Sequence, residues 1–222
     1  MKKLLVFSLS LLIVFGTLSQ CLASNSPDFV KAAEKGDLAK MKQLLEFGAD
    51  IDSTKKYAYY GEMTALMKVT QKGQKGHYDI AKFLIENGAD VNFRNEYGFT
   101  ALMMYPTLPM AKLLVENGAN VNAKTNTGWT PLMYVALERF NPTAMYLIEK
   151  GADVNARTTD NHTVLIEATW RCNPQLVSTL ILKGADVNVR TTKGWTALKW
   201  ATSSDFGCSV AVPILQAAGA VK

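Results

Sequence analysis

Gly118-Ala119-Asn120-Val121-Asn122, followed eight residues later by Thr130-Pro131-Leu132-Met133, is the stretch that decides the architecture. The glycine-led run returns at Gly48–Asp52, Gly88–Asn92, Gly151–Asn155 and Gly184–Asn188, with a stub at Gly219-Ala220-Val221. Its glycines are separated by 40, 30, 33, 33 and 35 residues. The threonine-led run travels with it, at Thr64-Ala65-Leu66-Met67, Thr100-Ala101-Leu102-Met103, Thr163-Val164-Leu165-Ile166 and Thr196-Ala197-Leu198-Lys199. Two motifs in constant phase are the signature of a repeat architecture.

Each unit has a physical reading. A threonine oxygen caps free N–H groups at a helix start, and proline suits the first helical turn. The second half of a unit carries apolar residues at helical spacing, as in Ile80, Phe83 and Leu84. The glycine then stops that helix in a left-handed conformation, and the next residues run out as a hairpin finger. A helix–turn–helix–finger unit cannot bury its apolar face alone, so units must stack.

The period and both motifs resemble those of the ankyrin-repeat family, from roughly Pro27 to Val221. The resemblance implies an all-α repeat solenoid of about six repeats, near 24–54, 55–94, 95–124, 125–157, 158–190 and 191–222. It departs from the family where histidine often follows the Thr-Pro-Leu start. Met67, Met103, Met133, Ile166 and Lys199 stand there, so apolar packing is expected in place of a histidine–threonine hydrogen bond.

Residues 1–23 read as a secretory signal peptide: Lys2 and Lys3, an uncharged apolar run from Leu4 to Phe15, and small residues at Cys21 and Ala23. Cleavage after Ala23 places the chain in the periplasm or outside the cell. A lipid anchor at Cys21 is the alternative, opposed by Gln20 where the processing enzyme wants a small residue. The apolar run is shorter than the ~20 residues that span a bilayer, so no stable membrane insertion is expected after cleavage. The whole sequence is 48% hydrophobic and 19% charged with net charge +5. That profile excludes a disordered chain, and nucleic acid is a poor partner for so mild a charge.

The irregularities point to a site, because insertions in a solenoid fall in loops. Ile51 to Thr64 spans 13 residues where Val91 to Thr100 spans 9. The excess enlarges the finger Ser53–Glu62, with Tyr57, Tyr59 and Tyr60, and a second excess falls around Lys72–His77. Pro106 and Pro109 shorten the first helix of the third unit. The resemblance implies that fingertips and inner helices grip partners. Phe93, Arg94, Tyr97, Phe99, Trp129, His162, Trp170, Arg171 and Trp195 fall on that face beside the three tyrosines. Aromatic residues and arginine are enriched among interface anchors. The competing reading is an aromatic ladder packed against itself.

Cys172 and Cys208 fall in the inter-helix turns of adjacent units, and an exported chain meets oxidising conditions, so a disulfide is expected. The ordinary spacing of stacked units argues against it, and extra residues around Ser203–Gly207 supply slack. No catalytic constellation, metal site or cofactor motif stands out. The expectation is a monomeric module that binds another protein as an inhibitor, immunity or helper protein of the envelope. A secreted effector and an enzyme of unrecognised type are the alternatives. Self-association through the uncharged C-terminal repeat is a further expectation.

Overall fold

The computed structural model describes residues 28–71, 77–104, 106–137, 142–203 and 207–221. The leader at 1–23, the excess at 72–76 and part of the Ser203–Gly207 segment lie outside the described residues. Helices pair along the chain. Residues 28–34 (α1) precede Leu38–Glu46 (α2), and Ala65–Thr70 (α3) precedes His77–Glu86 (α4). A 3₁₀ turn at Ala101–Met103 precedes Leu108–Glu116 (α5). Then come Pro131–Ala136 (α6) with Pro142–Glu149 (α7), Val164–Trp170 (α8) with Pro174–Leu182 (α9), and Ala197–Ala201 (α10) with Ala211–Ala217 (α11). First helices stack on first helices and second on second, and the core fills the space between the two rows. Leu66, Leu102, Leu132, Leu165 and Leu198 are buried from one row, Leu84, Leu114, Leu147, Leu180 and Leu215 from the other.

The motifs do structural work at both helix ends. The Thr64, Thr130, Thr163 and Thr196 side chains accept N–H bonds from the third residue onward, at 3.1–3.4 Å. Thr100 makes no such cap, because the shortened third unit has only a 3₁₀ turn there, and its buried hydroxyl is left without a partner. At the other end Ala49, Ala89, Ala119, Ala152, Ala185 and Ala220 each donate back to a carbonyl five residues earlier, at 2.9–3.0 Å. That bond needs the intervening glycine at positive φ, +81° to +90° here.

The Asn that ends the glycine-led run stitches neighbouring units together. Asn92 accepts from Asn120 N–H (2.8 Å) and donates to the Gly118 carbonyl (2.9 Å). Asn122, Asn155 and Asn188 repeat both bonds onto the next unit. Asp52 holds the same place in the first unit and only accepts, from Asp90 N–H at 3.1 Å. Asp50 and Asp153 brace their own turns by accepting N–H bonds two residues on.

Two expectations need adjustment. The fold is not wholly helical, since Thr54–Tyr57 (β1) and Gly61–Thr64 (β2) pair antiparallel, Thr54 opposite Thr64 and Tyr57 opposite Gly61. The shorter fingers are instead tight turns, closed by backbone bonds such as Thr125 N–H to Trp129 O and Gly128 N–H to Thr125 O, both at 2.9 Å. Met67, Met103, Met133 and Ile166 are buried between units, whereas Lys199 is exposed, because no first-row helix among the described residues follows its own.

Candidate functional site

The enlarged finger is built to present Tyr59. Four extra residues let the strands pair, and Gly61 turns back at φ +69°. The next finger braces it: Glu96 accepts the Glu62 N–H on both carboxylate oxygens at 3.1 Å, and the Asn95 amide donates to Tyr60 O. Tyr59 then stands 90% exposed at the tip. Together with Tyr97, Phe99, Thr125, Asn126, Thr127 and Tyr134 it lines a cavity of about 280 Å³ on the finger-bearing face.

From that cavity a row of rings runs along the stack. Tyr60 meets Phe99 edge-on (5.8 Å between centroids), Phe99 meets Tyr134 (5.4 Å), Tyr134 meets Trp129 (5.4 Å), and Trp129 stacks on His162 (5.7 Å). His162 reaches the carboxylate of Glu167 at 3.0 Å, and Arg171 Nε donates to the same carboxylate at 3.1 Å. Glu167 is buried; the Arg171 guanidinium compensates its charge at one oxygen, and the His162 ring is hydrogen-bonded to the other. Arg171 in turn lies over Trp170 (4.4 Å), and Trp170, Trp200 and Trp195 form a second aromatic cluster under Lys199.

The structure thus divides the residues expected from sequence. Tyr59, Tyr60, Tyr97, Phe99, Trp129 and His162 form one continuous surface, and Trp170, Arg171 and Trp195 another. Tyr57 stands apart. Its hydroxyl donates to Glu34 at 2.7 Å, and the Lys55 and Lys68 ammoniums lie over its ring. Burial first, then the Glu34 carboxylate, push this phenol upward from its ordinary pKa. Burial alone would also raise Glu34, but hydrogen bonds from Lys55 and Tyr57 and the charges of Lys55 and Lys68 outweigh it, and the carboxyl sits below its usual range. Phe93 packs half-buried against the core, and Arg94 donates to Lys124 O at 2.8 Å.

Sequence reading missed a column. Residues just before each threonine were found, but those four places after it are their partners: Tyr134 touches Trp129, Glu167 touches His162, and Trp200 touches Trp195. The signal was available, since Lys68, Met104, Tyr134, Glu167 and Trp200 occupy one helical position in phase with the repeat. A larger cavity, about 610 Å³, lies on the opposite row between α5, α7 and α9, lined by Leu108, Met145, Tyr146 and Leu176 among others. It holds none of the residues singled out above. Between the two rows Cys172 and Cys208 are joined, their Cα atoms 5.1 Å apart.

The family model described as ankyrin repeats (3 copies) matches residues 29–125 and 104–191. The chain belongs to the ankyrin-repeat family. This ankyrin-repeat chain is 40% identical over 83 residues to the E3 ubiquitin-protein ligase XBAT33 of Arabidopsis thaliana, covering 37% of the chain and 15% of that ligase. It is 35% identical over 83 residues to XBAT32 of the same plant, with the same coverage. Against the ankyrin repeat protein R886 of Acanthamoeba polyphaga mimivirus it is 41% identical over 59 residues, 27% of the chain and 38% of that protein. The match to the plant ligases is confined to about a seventh of their length, within the ankyrin-repeat region. Ankyrin repeats make the chain a protein–protein interaction module. No helix among the described residues is long and apolar enough to cross a membrane.

Proposed function

We propose that this chain is an exported interaction module of six repeats that grips one partner protein on its finger-bearing face. The observation that carries the reading is the cavity at Tyr59, Tyr97, Phe99 and Tyr134, formed where an enlarged finger lifts an exposed tyrosine beside the ring row. A 90% exposed tyrosine costs solvation of its ring unless something covers it, and tyrosine loses little entropy when it is covered. A stiff scaffold likewise loses little on docking. Export is supported by the N-terminal reading and by the Cys172–Cys208 bond, which persists in oxidising compartments. In the envelope the module acts as an inhibitor, immunity or helper protein; the secreted-effector reading uses the same face against a host protein.

The test is affinity capture from the envelope fraction with wild type and with a Tyr59→Ala/Tyr97→Ala variant. Loss of the partner from the variant is expected. Equal recovery by both proteins removes this face from consideration.

A further inference from the structure

The second row of helices has an opening of its own. α7 packs on α5 and α9 on α11, but α7 and α9 make little contact with each other, and the cavity of about 610 Å³ lies at that gap. Such a volume suits a small molecule.

The lining is graded along the helices. Leu108, Pro142, Met145 and Leu176, in the first half of each helix, are apolar. Leu176 is buried and Leu108 and Met145 are half-buried, so this end is a wall of the core. Lys112, Glu116, Glu149 and Lys150 line the other end and are exposed. Two ammoniums there balance two carboxylates, so the rim favours neither an anion nor a cation.

Tyr146 marks what a ligand must supply. Its side chain lines the cavity and is 8% exposed, yet its hydroxyl meets no hydrogen-bond partner. Among the described residues four buried side-chain atoms lack a partner, and Tyr146 is the residue among them that lines either cavity. A buried hydroxyl in that state costs stability, and bound water or a ligand usually relieves it. Burial first, then the Glu116 charge, push this phenol above its ordinary pKa, so the oxygen keeps its proton and needs an acceptor. The Lys112 and Lys150 ammoniums, 5.9 and 5.5 Å from the ring centre, are donors and cannot take that proton. Their exposed, flexible chains are the parts that yield as a ligand enters.

We infer that this cavity binds a small, uncharged molecule with an apolar body and one oxygen acceptor. The body lies against Leu108, Met145 and Leu176, and the oxygen accepts from the Tyr146 hydroxyl. The site is separate from the finger-bearing face and does not depend on the docking reading.

Equilibrium dialysis of the purified chain tests this with four probes of one shape: 2-acetylnaphthalene, 2-ethylnaphthalene, 2-naphthoate and 2-naphthylmethylammonium. The ketone is expected to bind most tightly, about tenfold better than the ethyl isostere that lacks the oxygen. Tyr146→Phe should erase that preference and leave ethylnaphthalene binding unchanged. The same variant should melt no lower than wild type, because the hydroxyl it removes has no partner in the free chain. Met145→Trp, at a half-buried position, fills the cavity and should weaken both neutral probes. Tyr59→Ala/Tyr97→Ala should bind them like wild type. The inference is overturned if no probe binds, if ketone and isostere bind equally, or if the carboxylate or the ammonium binds more tightly than the ketone. It is also overturned if Tyr146→Phe keeps the preference or melts well below wild type, or if Met145→Trp binds like wild type. Loss of binding in the Tyr59/Tyr97 variant would move the ligand to the finger-bearing face and equally end the proposal.

Discussion

A single oxygen separates Asp52 from the asparagines that stitch the later units. Asn92, Asn122, Asn155 and Asn188 each accept one bond and donate another to a glycine carbonyl, and an ionised aspartate has no proton for the second. Burial first, then the neighbouring Asp90 and Asp50 charges, hold the Asp52 carboxyl above its ordinary pKa despite the Asp90 N–H. A raised acid contributes stability while protonated and loses it as pH rises through its folded value. Glu34 is depressed, so its contribution is present above the usual glutamate range and is lost as pH falls. Asp52→Asn supplies the missing donor toward the next unit, where Gly88 holds the place of the glycines that accept from the later asparagines, and is expected to stabilise the chain by about 1 kcal/mol at neutral pH. Thermal unfolding across pH checks it. The gain should shrink on acidification, as wild-type Asp52 takes up its proton. A gain independent of pH would mean the amide acts in some other way.

At the scale of one element, the β1–β2 finger shows what sequence patterning carries and what it does not. Counting from Ile51 to Thr64 located the excess, because a repeat measures its own insertions. The pairing register, and the prop from Glu96 one unit away, depend on tertiary contact between fingers and leave no trace in the spacing. The starts of α3, α6, α8 and α10 and the ends of the second-row helices were legible for the same local reason: the former rest on a threonine cap and the latter on a glycine at positive φ. The column four residues past each threonine was visible but unread, since Lys68, Met104, Tyr134, Glu167 and Trp200 share a place without sharing a chemistry. The site therefore emerged from sequence as a face rather than as a cavity. Gly61 joins the local and tertiary arguments. Its φ of +69° disfavours any β-carbon, and one built there would meet the Glu96 carboxylate at 2.3 Å and Tyr97 at 2.7 Å. Both neighbours are side-chain ends that can yield, so Gly61→Ala is expected to cost only about 1–2 kcal/mol, chiefly from the backbone. Yielding moves Tyr97 out of the cavity, so partner affinity should fall by more than the stability change accounts for. Equal losses in a denaturant titration and a binding titration would dissociate Gly61 from the site.

Across the whole molecule, stability in such a stack is a sum of unit and neighbour contributions, and the last described unit meets a described neighbour on one side only. Here that unit has the short helices α10 and α11, of 5 and 7 residues. The Cys172–Cys208 bond, 36 residues apart in sequence, fastens it to the unit before it. Closing a loop of that length stabilises by about 4 kcal/mol in the chain-entropy account. Cys172 also occupies a backbone position that glycine would tolerate better, at φ +53°, closing α8 with N–H bonds from Cys172 to Thr169 O and from Asn173 to Ala168 O. Denatured, unreduced protein should therefore show no free thiol between these two cysteines. Reduction should release the end unit first. Trp195 and Trp200 leave Trp170 when it frays, so tryptophan fluorescence should change at lower denaturant than the helical circular dichroism does. The left-handed position separates the bond from the backbone: Cys172→Gly/Cys208→Ser should exceed Cys172→Ser/Cys208→Ser in stability by about 1 kcal/mol, although neither has a crosslink. If fluorescence and dichroism of the reduced chain fall together, the last unit holds by packing alone. The bond would then add strength to the stack without setting where it begins to open.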